Sequence, residues 1–148
     1  LSDPALESLL HSSAYVAGVD FNHMWKNREW FLNGTLTGST VRGSEDALLL
    51  TQQSSARYWH RPDAGHVSVD PARTSMEGWR GSLSTGRLSG DHWRGSVLFQ
   101  AQSPGFEAND LGFETRVDSW DVNFATQYRN TVPNDHTRFF FIDFAPRF

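Results

Sequence analysis

The sequence predicts an all-β fold: an antiparallel meander of about six long strands that forms part of an outer-membrane-like β-barrel. Two observations predict it. Apolar and polar residues alternate with a period of two along most of the chain, which is typical of strands with one apolar face. Tight polar connections also alternate with long ones, as periplasmic turns and extracellular loops do in barrels of this kind.

Composition sets the limits of this prediction. The chain has 148 residues, of which 38% are hydrophobic and 14% aromatic, so it has the size of one domain and an unusual share of large rings. A formal net charge of −4 argues against a nucleic-acid partner, and the absence of cysteine excludes disulfides and thiolate zinc sites. We expect residues 1–148 to be a single β-meander domain or a fragment of a larger barrel, with 1–12 as an N-terminal extension.

The first hairpin is predicted from "AYVAGVDFNHMW" and "WFLNGTLTGSTV", two alternating stretches that the tight connection "KNRE" joins at 26–29. A long connection follows, from about residue 42 to residue 74. Within it, the stretch "ALLLTQQSSARYW" at 47–59 is either a short helix or another strand, and the pattern leaves both alternatives open.

The next two strands carry a repeated phrase, "GWRGSL" at 78–83 and "HWRGSV" at 92–97, on either side of the tight connection "RLSGDH". We interpret the two copies as facing strands of one hairpin, because both would then meet the same two environments. Arg80 and Arg94 are expected to lie beside each other, with acidic residues of other strands as partners.

One alternating set of side chains is predicted to face lipid or a protein partner, and the other to face the lumen. The lipid- or partner-facing set comprises Trp79, Trp93, Val97, Phe99, Trp120, Val122 and Phe124. The lumen-facing set comprises Arg80, Arg94, Gln100, Asp121 and Asn123. A strand of about 11 residues, tilted by about 45°, spans roughly 25 Å, which is the apolar height of a transmembrane barrel.

A soluble sandwich or barrel with the aromatic face inside is the alternative. Glycines such as Gly34, Gly81 and Gly95 would then lie on its core face, where they offer nothing to pack. Among outward-facing rings, the same glycines fit strand bends and ring-over-glycine packing across a hairpin. We therefore favour the membrane interpretation.

The stretch "FFFIDFAPRF" alternates as the last strands of outer-membrane barrels do, with Phe140, Ile142, Phe144 and Phe148 on one side. Pro146 has no N–H group, so it suits an edge better than a central strand. We predict that 137–145 form a strand paired on one side with 117–128, with its other edge open or taken by a partner.

The stretches "SSARYWHRPD" and "SPGFEANDLGF" carry a resemblance that covers the chain from about Tyr15 to the end. They resemble the C-terminal barrel-like domain of unknown function that follows a family-9-type carbohydrate-binding module in bacterial envelope proteins. The resemblance implies an outer-membrane barrel attached to a sugar-binding module. This chain departs from that plan, because it carries no such module and its six strands are fewer than the eight or so that close a barrel.

Neither a catalytic residue nor a cofactor or metal site is predicted. His60, His66 and Asp70 lie in one predicted loop, but their spacing matches no zinc signature. Tyr58 and Trp59 are suited to stack on a sugar ring or, as the simpler interpretation, to anchor the loop.

Three functions remain. The first is a non-catalytic barrel in envelope transport or surface display, with membrane lipid as its partner and carbohydrate bound through a separate domain. The second is a β-rich accessory or scaffold subunit of a membrane-associated protein assembly. The third, a glycan-processing enzyme, rests on the carboxylate pairs Glu45–Asp46 and Asp110–Glu114, which lie in predicted polar loops rather than in the apolar pocket that a general acid needs. We expect the bacterial outer membrane as the location, with a periplasmic or membrane-associated location as the alternative.

Overall fold

The structure, a computed structural model, describes residues 8–109 and 114–146. They form six strands and one helix: β1 (His11–Trp25), β2 (Trp30–Gly43), α1 (Glu45–Gln53), β3 (Ser75–Arg87), β4 (Trp93–Gln102), β5 (Ser119–Asn130) and β6 (Phe140–Phe144). The strands make one antiparallel sheet in the order β1-β2-β3-β4-β5-β6, which leaves β1 and β6 as its edges. The predicted all-β meander of six strands is confirmed.

The strands are long for a protein of this size. Five of them have 10 to 15 residues, whereas β6 has 5. Strands in globular proteins usually have about 5–6 residues. Because consecutive strands run in opposite directions, the tight connections 26–29 and 88–92 lie at one end of the sheet, and the long connections 44–74 and 103–118 lie at the other.

The segment 47–59 is helical in its first half, which answers the question that the sequence left open. Helix α1 begins after Ser44, whose Oγ accepts a hydrogen bond of 3.1 Å from the backbone N–H of Ala47. Glu45 and Asp46 lie in the first turn, where carboxylates interact favourably with the helix dipole. Leu48 on the next turn is fully buried, so the helix is attached by its apolar side.

Removing the N-cap should destabilise α1. In Ser44→Ala the N–H of Ala47 loses its acceptor, and we expect a loss of about 1 kcal/mol in the free energy of unfolding. Ser44→Thr keeps the hydroxyl and should remain within a few tenths of a kcal/mol of the native protein. Amide hydrogen exchange along 45–53 measures both variants, and equal protection in the two would contradict the capping role.

The chain divides into two compact units. Unit 1 comprises Leu1–Gly18, Thr37–Arg80 and Gln102–Ser119, and so contains α1 and both long connections. Its described residues have a buried apolar core formed by Val41, Ala47, Leu48, Trp59 and Met76. Nonpolar burial of this kind stabilises a fold by about 25 cal/mol per Å² removed from water. Unit 1 therefore has its own source of stability.

Unit 2 comprises Val19–Leu36, Gly81–Ala101 and Trp120–Phe148 and is built differently. Among its described residues, Phe31 is the one buried hydrophobic side chain. Sixteen large hydrophobic side chains of these residues are exposed, with Val19 at 71% and Trp120 at 68%. The described apolar residues of unit 2 therefore form no buried core among themselves.

The first hairpin turns through three consecutive residues with left-handed backbone angles, Lys26, Asn27 and Arg28, whose φ values are 49°, 55° and 65°. Such angles are uncommon outside glycine, so neighbouring contacts must hold the turn. Glu29 supplies two of them: its carboxylate accepts from Arg87 Nε at 2.5 Å, and its carbonyl accepts from the N–H of Leu88 at 2.7 Å.

The ends of the chain differ in detail from the prediction. The last strand covers 140–144 instead of 137–145, and it pairs with the end of β5, from Thr126↔Phe144 to Asn130↔Phe140. At the other end, β1 begins at His11, so part of the expected extension 1–12 already belongs to the sheet. Phe148 and residues 1–7 lie outside the described part of the chain.

Candidate functional site

Side-chain contacts in unit 2 separate by strand face. Polar side chains meet polar side chains: Thr35 Oγ1 lies 2.8 Å from Ser82 Oγ, and Gln127 Nε2 donates to Asp143 Oδ1 at 2.7 Å. The side chains on the other face of the strands contact each other through aromatic rings instead. The Trp93 and Tyr128 rings are 5.0 Å apart, edge to face. Unit 2 therefore has a polar face joined by cross-strand hydrogen bonds and an aromatic face.

Phe21 and Gly34 show how glycine fits the aromatic face. A Cβ atom added at Gly34 would lie 2.2 Å from the ring of Phe21 on the neighbouring strand, so the ring lies directly over the glycine. This is the ring-over-glycine packing that the sequence suggested. It stabilises a strand pair where glycine itself has no side chain to contribute.

The side chains of the predicted lipid- or partner-facing set have different degrees of exposure. Trp93, Val97 and Phe99 on β4 are 55%, 37% and 44% exposed, whereas Val122 and Phe124 on β5 are half-buried. Trp120 is exposed as well. Trp79 belongs to unit 1 and lines a cavity there.

The predicted lumen-facing residues of unit 2 are all half-buried, and on β4 they are more sheltered than the rings beside them. Arg94 and Gln100 on β4 are half-buried, as are Asp121 and Asn123 on β5. Asn123 Nδ2 donates to Asp121 Oδ2 at 2.6 Å. On β4, apolar side chains are thus exposed and their polar neighbours half-buried, which is the reverse of a strand on the surface of a soluble protein, whereas on β5 Val122 and Phe124 are as sheltered as Asp121 and Asn123.

Arg80 makes a contact that the sequence did not predict. Its Nη1 lies 3.2 Å from Glu114 Oε2, and Glu114 belongs to the connection between β4 and β5 rather than to a strand. The expected side-by-side placement of Arg80 and Arg94 is wrong: the backbone of Trp79 pairs with Ser103, so Arg80 lies near the long connection, whereas Arg94 lies next to the tight connection that joins β3 to β4. The partner of Arg80 is acidic, but it comes from a loop of unit 1 rather than from another strand.

A buried ion pair forms the centre of the loop region of unit 1. Arg57 Nη2 lies 2.7 Å from Glu107 Oε2 and donates to the carbonyl of Phe106 at 2.5 Å, and the two charged side chains are 1% and 3% exposed. The N–H of Glu107 in turn donates to Ser39 Oγ at 2.9 Å. The pair thus links the two long connections to each other and to β2.

Burial disfavours the charged form of Arg57. Removal from water lowers the pKa of its guanidinium, and the nearby carboxylate of Glu107 opposes this shift, with a smaller opposing effect from Glu114. Among the described residues, no hydrogen-bond acceptor reaches Arg57 Nε or Nη1. The pair therefore positions two loops at the expense of some stability, which is the usual balance for buried ions.

A second polar cluster holds the same two connections together near Asp118. The carboxylate Oδ2 of Asp118 accepts from His66 Nε2 at 2.7 Å and from Arg61 Nη2 at 3.2 Å. The backbone adds a bond of 3.0 Å from the N–H of Val117 to the carbonyl of Ala56. The long connections of unit 1 are therefore bound to each other at several points.

A cavity of about 590 Å³ opens between these connections and β3. Its lining consists of Trp59, His66, Val67, Ser68, Arg73, Glu77, Gly78, Trp79, Ser103, Pro104 and Gly105. Trp59 is almost fully buried, and the guanidinium carbon of Arg73 lies 5.3 Å from its ring centroid. The volume is within the range of small-molecule sites in proteins.

Two glycines form the base of this cavity. A Cβ atom at Gly78 would lie 2.1 Å from the backbone N of Phe106, and one at Gly105 would lie 2.1 Å from the carbonyl O of Glu77. Any larger residue at either position would push the loop away from β3, because the obstacle is backbone. Ser103 fixes the contact: its N–H donates to the carbonyl of Trp79 at 2.9 Å, and its Oγ accepts from the N–H of Trp79 at 2.8 Å.

Residues 10–147 match the family described as Domain of unknown function (DUF5916). The chain belongs to this family. No curated protein and no solved structure matches it. In this DUF5916 chain, the two stretches on which the resemblance rested, "SSARYWHRPD" and "SPGFEANDLGF", supply the two partners of the buried ion pair, Arg57 and Glu107.

The residues considered for metal binding or catalysis have other roles in this DUF5916 chain. His66 bonds to Asp118, and the N–H of Asp70 donates to Gln52 Oε1 at 2.8 Å. Asp110 lies outside the described residues. The described part of the chain contains no group of three potential metal ligands. Nor does it contain a helix that is long and apolar enough to cross a membrane.

Sequence reasoning missed the ion pair and the cavity. Arg57 and Glu107 are 50 positions apart, and no local pattern links them. One signal was present: each of the two stretches that carried the resemblance contains charged residues, among them Arg57 and Glu107. Of the two aromatic candidates for sugar stacking, Trp59 lines the cavity, whereas Tyr58 is exposed and packs against His60, with ring centroids 5.1 Å apart.

Proposed function

We propose that this DUF5916 chain is a non-catalytic, membrane-inserting part of a bacterial outer-membrane β-barrel, acting in envelope transport or in surface display linked to carbohydrate binding. The observation that carries the proposal is the contrast between the two units. Unit 1 buries an apolar core, whereas the described part of unit 2 buries Phe31 and exposes sixteen large hydrophobic side chains.

Water is a poor solvent for such a surface. Full burial of a side chain such as Val, Leu or Phe stabilises a protein by about 1.5–3 kcal/mol relative to leaving it exposed. Monomeric soluble proteins rarely expose large contiguous apolar patches, which normally mark membrane or protein contacts. The rings of unit 2 therefore require an apolar environment from outside the chain.

Three further features favour lipid as that environment. The parts of β1–β5 that belong to unit 2 have 7 to 11 residues. At the tilt of transmembrane strands they span roughly 16–26 Å, and the longest of them, in β5, reaches the apolar height of a barrel, about 25 Å. Trp25, Trp30 and Trp93 stand at strand ends next to the tight connections, where barrels place aromatic girdles. The opposite face carries hydrogen-bonded polar side chains, as a water-filled lumen does.

The accessory or scaffold subunit is the second candidate, and the sheet edges favour it. In the described sheet, β1 and β6 each have one unpaired edge, and every residue of β6 is exposed. Free strand edges offer backbone donors and acceptors to another chain. For the scaffold subunit, other proteins of a membrane-associated assembly would cover the aromatic face of unit 2.

A lipid-quenching experiment distinguishes the two candidates. The chain is reconstituted into vesicles whose acyl chains carry bromine, which quenches tryptophan fluorescence at membrane depth. We expect strong quenching, and we expect it to fall clearly when the exposed Trp93 and Trp120 are both replaced by Phe, while Trp25 and Trp30 account for the remainder. A matched control replaces Trp79, which lies in unit 1, and should leave the quenched fraction largely unchanged.

The opposite outcomes are equally clear. A chain that stays monomeric in detergent-free buffer and shows no bromine quenching would rule out membrane insertion. A chain that is soluble only with a co-purifying protein, again without quenching, would favour the scaffold subunit.

A further inference from the structure

We propose that the cavity of unit 1 binds a saccharide, with Trp79 as the stacking surface and Arg73 and Glu77 as the polar contacts. The site belongs to this chain itself, so it is separate from any sugar-binding module. It also stands independently of membrane insertion, because every residue that lines it belongs to unit 1.

Of the two tryptophan rings that line the cavity, the ring of Trp79 is free to contact a ligand. Trp59 is almost fully buried and is covered by Arg73, whereas Trp79 is 48% exposed. Among the described residues, no aromatic ring or guanidinium stacks on Trp79. Its electron-rich face therefore remains available to a flat group with outward C–H bonds, such as one side of a pyranose ring.

Two charged side chains of the cavity, those of Arg73 and Glu77, have no polar partner among the described residues. Within the described chain, neither Arg73 nor Glu77 makes a salt bridge or a side-chain hydrogen bond. A guanidinium can only donate hydrogen bonds and a carboxylate can only accept them. A ligand that satisfies both must carry donors and acceptors together, as vicinal hydroxyl groups do.

These requirements exclude the simpler ligand classes. An inorganic anion would satisfy Arg73 but would be repelled by Glu77. A hydrocarbon would cover Trp79 but would leave both charged groups without partners. A small zwitterion would satisfy both charges, yet it has no flat C–H face for the indole. The volume of about 590 Å³ accommodates one or two sugar rings.

Fluorine NMR on the whole chain tests the proposal. The six tryptophans are replaced by 5-fluorotryptophan, and maltose, cellobiose and chitobiose are added separately, with glycine and inorganic phosphate as competing probes. The detergent must not be a glucoside or maltoside, since such head groups would compete for the site. We expect at least one disaccharide to shift the Trp59 and Trp79 resonances in a saturable way, while the other four remain in place.

Variants of the lining residues test whether the shifts of the fluorine resonances arise from binding in this cavity. Trp79→Ala should abolish binding, Trp79→Phe should retain most of it, and Arg73→Gln should weaken it by about tenfold, equivalent to 1.4 kcal/mol. Trp93→Ala, which removes another exposed indole, should leave the affinity unchanged. The proposal is overturned if no disaccharide shifts these resonances, if Trp79→Ala binds as the native chain does, or if glycine or phosphate saturates the site instead.

Discussion

Arg57→Met should reduce the free energy of unfolding of unit 1 by about 3–5 kcal/mol, the range found when one partner of a buried ion pair is removed. The substitution leaves the carboxylate of Glu107, at 3% exposure, without the cation 2.7 Å away. It also removes the donor to the carbonyl of Phe106. Few surface changes would have an effect of this size.

The local opening free energy is the quantity to measure, because the chain contains two units and need not unfold in one step. Amide hydrogen exchange along α1 and around Trp59 reports on unit 1 alone. Arg61→Met is the matched control: it removes an arginine that also bonds a carboxylate, but one that is 36% exposed. We expect less than about 1 kcal/mol for the control.

The double variant Arg57→Met/Glu107→Leu distinguishes the net contribution of the ion pair to the free energy of unfolding from the destabilisation caused by one unpaired buried charge. Replacing both partners removes the desolvation of two ions, so the double variant should be more stable than Arg57→Met and close to the native protein. If the single variant costs no more than Arg61→Met, the pair does not hold the two connections together. A double variant as unstable as the single one would show that the lost hydrogen bonds dominate.

The fold was predictable because each strand produces a local pattern of alternating residues in the sequence. A period of two identified the strands, and the tight connections at 26–29 and 88–92 fixed their pairing, since a short turn can join only antiparallel neighbours. The segment 47–59 was ambiguous because a short apolar run fits both periodicities. Its N-cap, a Ser followed by two acidic residues, was the signal for the helix.

The cavity and the ion pair were not predictable for the opposite reason. They depend on contacts between connections far apart in sequence, such as Arg57 with Glu107 and Gly78 with Gly105. Trp79 shows what the alternation of residues could not predict. Its place in an alternating strand put it with the aromatic face, whereas the loop that packs on β3 makes it part of a cavity wall. Periodicity assigns a residue to a face but cannot show what a distant loop places over it.

Val97→Arg should destabilise the membrane-inserted chain by about 2–4 kcal/mol if Val97 lies near the middle of the bilayer. Val97 is the fifth residue of the ten-residue strand β4, so it is as far as any residue of β4 from both ends of the strand, and it is 37% exposed. A guanidinium at this position would face hydrocarbon, where its loss of hydration is not recovered. The free energy of unfolding in lipid vesicles, followed by far-ultraviolet circular dichroism in denaturant, gives the value.

Ser96→Arg is the control, since Ser96 precedes Val97 on the same strand and its side chain points to the opposite, polar face. There the added cation would meet water and polar groups, and we expect a change within about 0.5 kcal/mol. Equal effects of the two variants would contradict the assignment of faces on β4. A small effect of Val97→Arg in vesicles, together with the loss of a co-purifying protein, would instead place the aromatic face against a protein partner. The pair of variants thus decides what covers the rings of unit 2, because lipid and protein penalise an arginine at the same position by different routes.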